Sequence, residues 1–270
     1  MIITFVIVRT FGLPHLEVTA QDAIANLTML QRYIGFAHVD NSYWTLSYEL
    51  GFYAGMLFLF MLRLQNRANL IIMAFLAFQA SVCCLEHLGV MNVPGILVKV
   101  LMLTYGHQFV CGIAFYILHT QTKRNIAQLI PWWAIVNEAL IPDSWDGNIP
   151  PNPALLFCFV IVFYAFIHGY LRWMRMKFLV FLGGISYSLY LVHQHIGYVV
   201  MREAYRLGVS PYGAFVCAVV IVFSLATGIT YLVEKPSLRK IREWYMFRGR
   251  AANHGCEPVL EEAGDRAKVD

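Results

Sequence analysis

Apolar residues run along this chain in long blocks separated by short polar stretches. Seven blocks stand out, at residues 44–64, 70–85, 94–118, 126–141, 154–171, 178–201 and 212–233. Roughly 20 apolar residues in a helix cross a hydrocarbon core, and most of these blocks reach that length. The blocks at 70–85 and 126–141 are shorter. Breakers such as Asn92-Val93-Pro94 and Pro150-Pro151-Asn152-Pro153 punctuate the connectors. The pattern predicts an all-α fold, a polytopic transmembrane helix bundle of about seven full spans. A short apolar piece at 1–13 adds an N-terminal helix remnant. Residues 14–42 are mixed and polar and read as an external loop, with an amphipathic helix over 22–33.

Two blocks carry polar stripes. In the sixth, Ser186, Tyr190, His193 and Gly197 recur at i, i+4, i+7 and i+11, one helical face. In the first, Thr45, Glu49 and Tyr53 recur at i, i+4 and i+8. Polar side chains on a spanning helix are expected to turn towards other helices or a wet cavity rather than lipid. Glu49, about one turn inside the interface, is a functional candidate because an ionisable group there is costly. The same carboxylate is equally expected where hydroxyls and amides pin an outer loop. Glu138, beside Asn137, reads as an interfacial carboxylate facing water. His107 and His119 are too far apart along one block to meet, and His195 projects away from His193. Gly183-Gly184 permits close helix approach.

Composition agrees with the blocks. Of 270 residues, 59% are hydrophobic and 13% charged, too few charges to cover a soluble domain of this size. The net charge of +4 is too small to suggest a nucleic-acid partner. Fifteen of the 20 Lys and Arg fall in alternate connectors or the C-terminal tail, at 63–67, 123–124, 172–177 and beyond 234. By the positive-inside rule that side is cytoplasmic, with the 14–42 and 142–153 loops outside. Residues 1–245 are then the membrane domain and 246–270 a polar, unstructured cytoplasmic tail. The six cysteines show no metal-ligand spacing, and no structural disulfide is expected. No metal or permanently bound cofactor is expected.

Three segments carry a resemblance. Tyr43-Trp44-Thr45-Leu46-Ser47-Tyr48-Glu49-Leu50-Gly51-Phe52-Tyr53 resembles the Trp-Ser-Leu-Ser-x-Glu-x-x-Phe-Tyr motif of the integral-membrane acyltransferase family 3. Ile185 to His193 is similar to that family's Ser-Tyr-x-x-Tyr-Leu-x-His segment, and Glu234-Lys235-Pro236 to its closing Glu-[Lys/Arg]-Pro. The three occur in the family's order and cover most of the chain.

The resemblance implies an enzyme that moves an acyl group, often acetyl, from acyl-CoA to a hydroxyl of a carbohydrate or other cell-envelope acceptor. The lipid bilayer, the donor acyl-CoA and that acceptor are the implied partners. The implied location is the cytoplasmic (inner) membrane. It makes Glu49, Ser186, Tyr187, Tyr190 and His193 the site residues. Tyr and Ser hydroxyls would donate to the developing oxyanion. The family's opening helix, with Arg or Lys, then ten residues, then a His that acts as base, has no counterpart here. The expectation is a chain without the family's first two helices, whether through a miscalled start, a truncated gene or a separate chain that supplies the front. Two rival readings follow: a catalytically inactive truncated fragment and, third, a transporter of acyl groups or small solutes.

Overall fold

The computed structural model describes residues 1–12, 18–64, 67–120, 126–145 and 150–254, with side chains to residue 246. The fold is all-helical, with no strand among those residues. Helix α1 (Ile2–Phe11) is followed by the short α2 (Ala20–Leu27) and α3 (Gln31–Ile34). Then come α4 (Trp44–Met61), α5 (Ala68–His87), α6 (Gly95–Val100), α7 (Gly106–Thr120), α8 (Ile130–Leu140) and α9 (Pro153–Ile167). Helices α10 (Lys177–Arg206), α11 (Pro211–Ile229) and α12 (Lys235–His254) close the chain. The expected unstructured tail begins inside α12, and residues 255–270 lie outside the described residues. So do the basic pair Lys123 and Arg124.

Two of these helical segments are long and apolar enough to cross a membrane: Ala68–His87 and the continuous Pro211–Met246. Helices α7 and α9, at 15 residues, and α8, at 11, are short for the task. Helix α10 has 30 residues, about 45 Å at 1.5 Å per residue. It is long enough but carries Gly, Ser, Tyr, His and Gln along its middle.

The third apolar block, expected as one helix, is broken. Helix α6 ends, the chain turns through residues 101–105, and Met102 takes a φ of 54°. The break has a local cause. Gln79 Nε2 on α5 donates to the freed Leu103 carbonyl at 2.6 Å. A Cβ on Gly106 would stand 2.5 Å from Phe75 Cζ, so only glycine lets α7 start against α5. The expected close approach at Gly183-Gly184 is not found, since a Cβ there would meet nothing within 4 Å.

Helices α5, α7, α8 and α9 share one core, with Leu76, Ala114, Ile130 and Ala134 at 0% exposure. The most extensive pairing in the fold is α10 with α11, through Val192, Ile196, Val222 and Ala226. Helix α11 does not end at Glu234 but passes through a π turn, Thr230–Glu234, into α12. Pro236 accounts for the wide turn: it has no N–H, and its ring would strike the carbonyl four residues back in a regular helix. Glu234 accepts from Ser188 Oγ on α10 at 3.0 Å, while Lys235 Nζ sits 3.7 Å from the Tyr231 ring centre.

The 18–43 segment is folded rather than loose. Thr19 and Asp22 form a reciprocal capping box at the start of α2. Asn26 donates to the Ala37 carbonyl and accepts from the Val39 amide, at 2.7 and 3.1 Å. The predicted 22–33 helix is therefore two short ones, split by Met29 at φ 60°. Asp40, fully buried, takes the Ser42 amide on one oxygen and the His195 amide on the other. This segment sets where α4 begins.

Candidate active site

Helix α4, the 101–105 turn, α7, α8 and the start of α9 border a half-open cavity of about 990 Å³. One wall is aromatic. Trp44, Tyr48 and Phe52 recur every four residues on α4, so they stack along one edge. Phe52 stacks on Phe109 at 4.7 Å, and Tyr48 meets Tyr105 edge-on at 4.9 Å. The Arg32 guanidinium lies 5.8 Å from the Trp44 ring centre and 4.8 Å from that of Tyr48. The adjoining edge of α4 brings Thr45, Glu49 and Tyr53 to the same cavity. Glu49 is half-buried, and no hydrogen bond or ion pair holds it among the described residues.

The opposite wall holds a second carboxylate, and here the sequence expectation is corrected. Glu138 is 7% exposed rather than facing water. His107 and Gln108 both donate to its Oε2, at 2.5 and 2.9 Å, and the Asn152 amide donates to Oε1 at 2.9 Å. Three donors fix a carboxylate as an anion and fix its direction. Behind it, Asn137 Nδ2 donates to Gln79 Oε1 at 2.8 Å. Gln79 Nε2 therefore points at His107 Nδ1, 3.0 Å away. With Nδ1 accepting, the imidazole proton belongs on Nε2, where it meets Glu138. His107 is fully buried and touches the cavity only through that carboxylate. The network ties α5, α7, α8 and the N-cap residue of α9 together at one end of the bundle. A further polar group waits nearby. Thr104, 5% exposed, lines the cavity, and its buried hydroxyl has no partner among the described residues.

The α10 candidates lie elsewhere. Tyr190 is half-buried, donating to the Ser42 carbonyl at 2.7 Å and meeting the Thr45 hydroxyl at 2.8 Å. It reaches the cavity's edge through Thr45. Ser186 is exposed and donates to Gly183 O of its own helix. His193 is exposed, with Nδ1 on the Tyr190 carbonyl at 2.8 Å. Tyr187 is 45% exposed, within electrostatic reach of Glu49 and Glu234. None of these four lines the cavity. The buried edge of α10 runs instead through Ser188, Val192 and His195. His195, expected to project away from the site, is 4% exposed and binds the Val39 carbonyl at 2.9 Å.

The acyltransferase domain family, acyltransferase family 3, matches residues 1–234, most of the chain. The chain belongs to that family. No curated protein and no solved structure matches it. Membership supports acyl transfer as the general chemistry. It covers both the cavity helices and α10, so the match alone does not choose between them. Sequence periodicity missed Gln79, His107, Asn137 and Glu138, because each sits on a different helix from its main partner. One partial signal was available: in the expected topology Asn137 and Glu138 fall near the outer end of their block and Gln79 in the outer half of its own, whereas His107 falls at the middle of the 94–118 block.

Proposed function

We propose that this member of the family is a membrane-bound O-acyltransferase. It moves an acyl group, acetyl by expectation, from acyl-CoA to a hydroxyl of a carbohydrate or other cell-envelope acceptor. The observation that carries the reading is the cavity that places Glu49 opposite Glu138, inside a chain of this family. The carboxylates have different tasks. Glu138 is already held by three donors and serves as a fixed charge. Glu49 is unencumbered and takes the proton of the acceptor hydroxyl. The acceptor oxygen then attacks the thioester carbonyl. The tetrahedral intermediate collapses with loss of the CoA thiolate, which takes the proton held by Glu49 and leaves as the thiol, returning Glu49 to its carboxylate. Among the lining hydroxyls Thr104, which has no hydrogen-bond partner among the described residues, is suited to donate to the oxyanion.

A bilayer setting with seven spans and a cytoplasmic C-terminus belongs to the same proposal. It is supported by the apolar outer faces of α9 and α11, where Phe157, Ile161, Phe215 and Val220 are all exposed. The inner membrane is the proposed location. A second reading, a domain that holds an acceptor without acylating it, is favoured by one observation: no imidazole lines the cavity among the described residues. Membrane vesicles carrying the chain, supplied with radiolabelled acetyl-CoA, separate the two. Label in an alkali-labile ester on envelope carbohydrate supports transfer. Vesicles in which acceptor binds but no label moves rule it out.

A further inference from the structure

The charges around the cavity are one-sided. Its lining includes Glu49 and Glu138 and, among the described residues, no Lys, Arg or His. Glu138 is held as an anion by His107, Gln108 and the Asn152 amide. A cation behind this wall, Arg32, is stacked over the rings of Trp44 and Tyr48. A negative charge entering the cavity would face a fixed carboxylate with no basic lining group to receive it. The ring-walled side limits the screening of such repulsion, although the cavity is half open. Hydroxyl and ammonium groups, by contrast, find acceptors in the two carboxylates. Sugar ring faces and cations find the aromatic wall. The buried Thr104 hydroxyl supplies a polar contact that no partner uses among the described residues.

We infer that the cavity selects its acceptor by charge, taking uncharged or positively charged carbohydrate and excluding acidic carbohydrate, with Glu49 as the discriminating residue. This deepens the proposed function and rests on its acceptor site. The same charges keep phosphate-bearing groups out, so the nucleotide part of an acyl-CoA lies outside the cavity while its acyl end reaches in. Selection here comes from a repulsive element as much as from attraction.

The test is binding without an acyl donor. The full chain, purified in a neutral detergent, is titrated with three probes of equal length: glucosamine trimer, N-acetylglucosamine trimer and trigalacturonate. The expected order is cationic, then neutral, then acidic, with the acidic trimer weaker than the cationic one by about tenfold or more. In Glu49→Gln the acidic trimer gains and the cationic trimer loses, compressing the ratio to about threefold. Equal affinity for all three, binding by none, or an unchanged ratio in Glu49→Gln overturns the inference. Label transfer is read separately on the same preparation. Charge-ordered binding with no transfer therefore removes the enzyme reading alone, and transfer without charge ordering removes the selectivity alone.

Discussion

The two polar regions of this molecule differ in how their side chains find partners. Along α10, Ser186 and His193 bond to carbonyls of their own helix and remain exposed. Around α5, α7 and α8, Gln79, His107, Asn137 and Glu138 bond only across helices and are buried. The first region has a periodic signature in sequence and little tertiary constraint. The second has no periodic signature and much constraint. A stripe on one helix reports a face, whereas a site needs several faces to converge. Tyr190 and Glu49 bridge the contrast. Tyr190 is a stripe residue whose bonds cross to α4, and Glu49 is a stripe residue that opens into the cavity.

The largest effect that would sharpen this contrast is at Glu138. Glu138→Ala strips His107, Gln108 and the Asn152 amide of their acceptor in a buried place. Three neutral donors left without an acceptor, at about 1–3 kcal/mol each before relaxation, should cost about 3–5 kcal/mol in all, read as a fall in Tm in detergent. A loss under about 1 kcal/mol would break the claim that this network holds the fold. Gly106→Ala comes next. Its methyl would overlap the Phe75 ring, a strain of about 1–3 kcal/mol by the same measurement. Tyr190→Phe removes the bonds to Ser42 and Thr45, worth about 1 kcal/mol, whereas Ser186→Ala should stay within about 0.5 kcal/mol. If the two are equal, the split between bridging and local stripe residues fails.

The smallest effect is pH-dependent and lies in the 18–43 segment. The Thr19 hydroxyl, with the Thr19 and Ala37 amides, holds the Asp22 carboxyl below its ordinary 3.8. A depressed carboxyl contributes stability that is whole above the unfolded value and fades as pH falls through the folded one. Hydrogen exchange at the Ala37 amide should therefore be protected at pH 5 and lose that protection progressively below about pH 4. Asp22→Asn should lack the transition.

Much of the helix inventory was legible because apolar blocks and breakers mark it directly. Helices α4, α5, α10 and α11 begin within a few residues of the expected positions. The break at 101–105 was not, because its causes are distant: a Gln79 side chain and the Phe75 ring on another helix. The π turn at Thr230–Glu234 was hidden for a different reason. Pro236 reads as a terminator locally, but a wider turn lets the helix continue. In the candidate site, Thr45, Glu49 and Tyr53 were visible as a stripe, and all three line the cavity. Glu138 was visible only as a lone carboxylate. Its meaning depends on His107, 31 residues away, and on Gln79, which fixes that imidazole's tautomer.

The central claim is that acyl transfer takes place in the cavity between Glu49 and Glu138, not along the exposed edge of α10. Rates of label transfer from radiolabelled acetyl-CoA in vesicles, compared for Glu49→Gln and His193→Ala at equal folded protein, address it most directly. The account predicts a loss of about 100-fold or more for Glu49→Gln and less than about threefold for His193→Ala. A wild-type rate in Glu49→Gln together with abolished transfer in His193→Ala would contradict it.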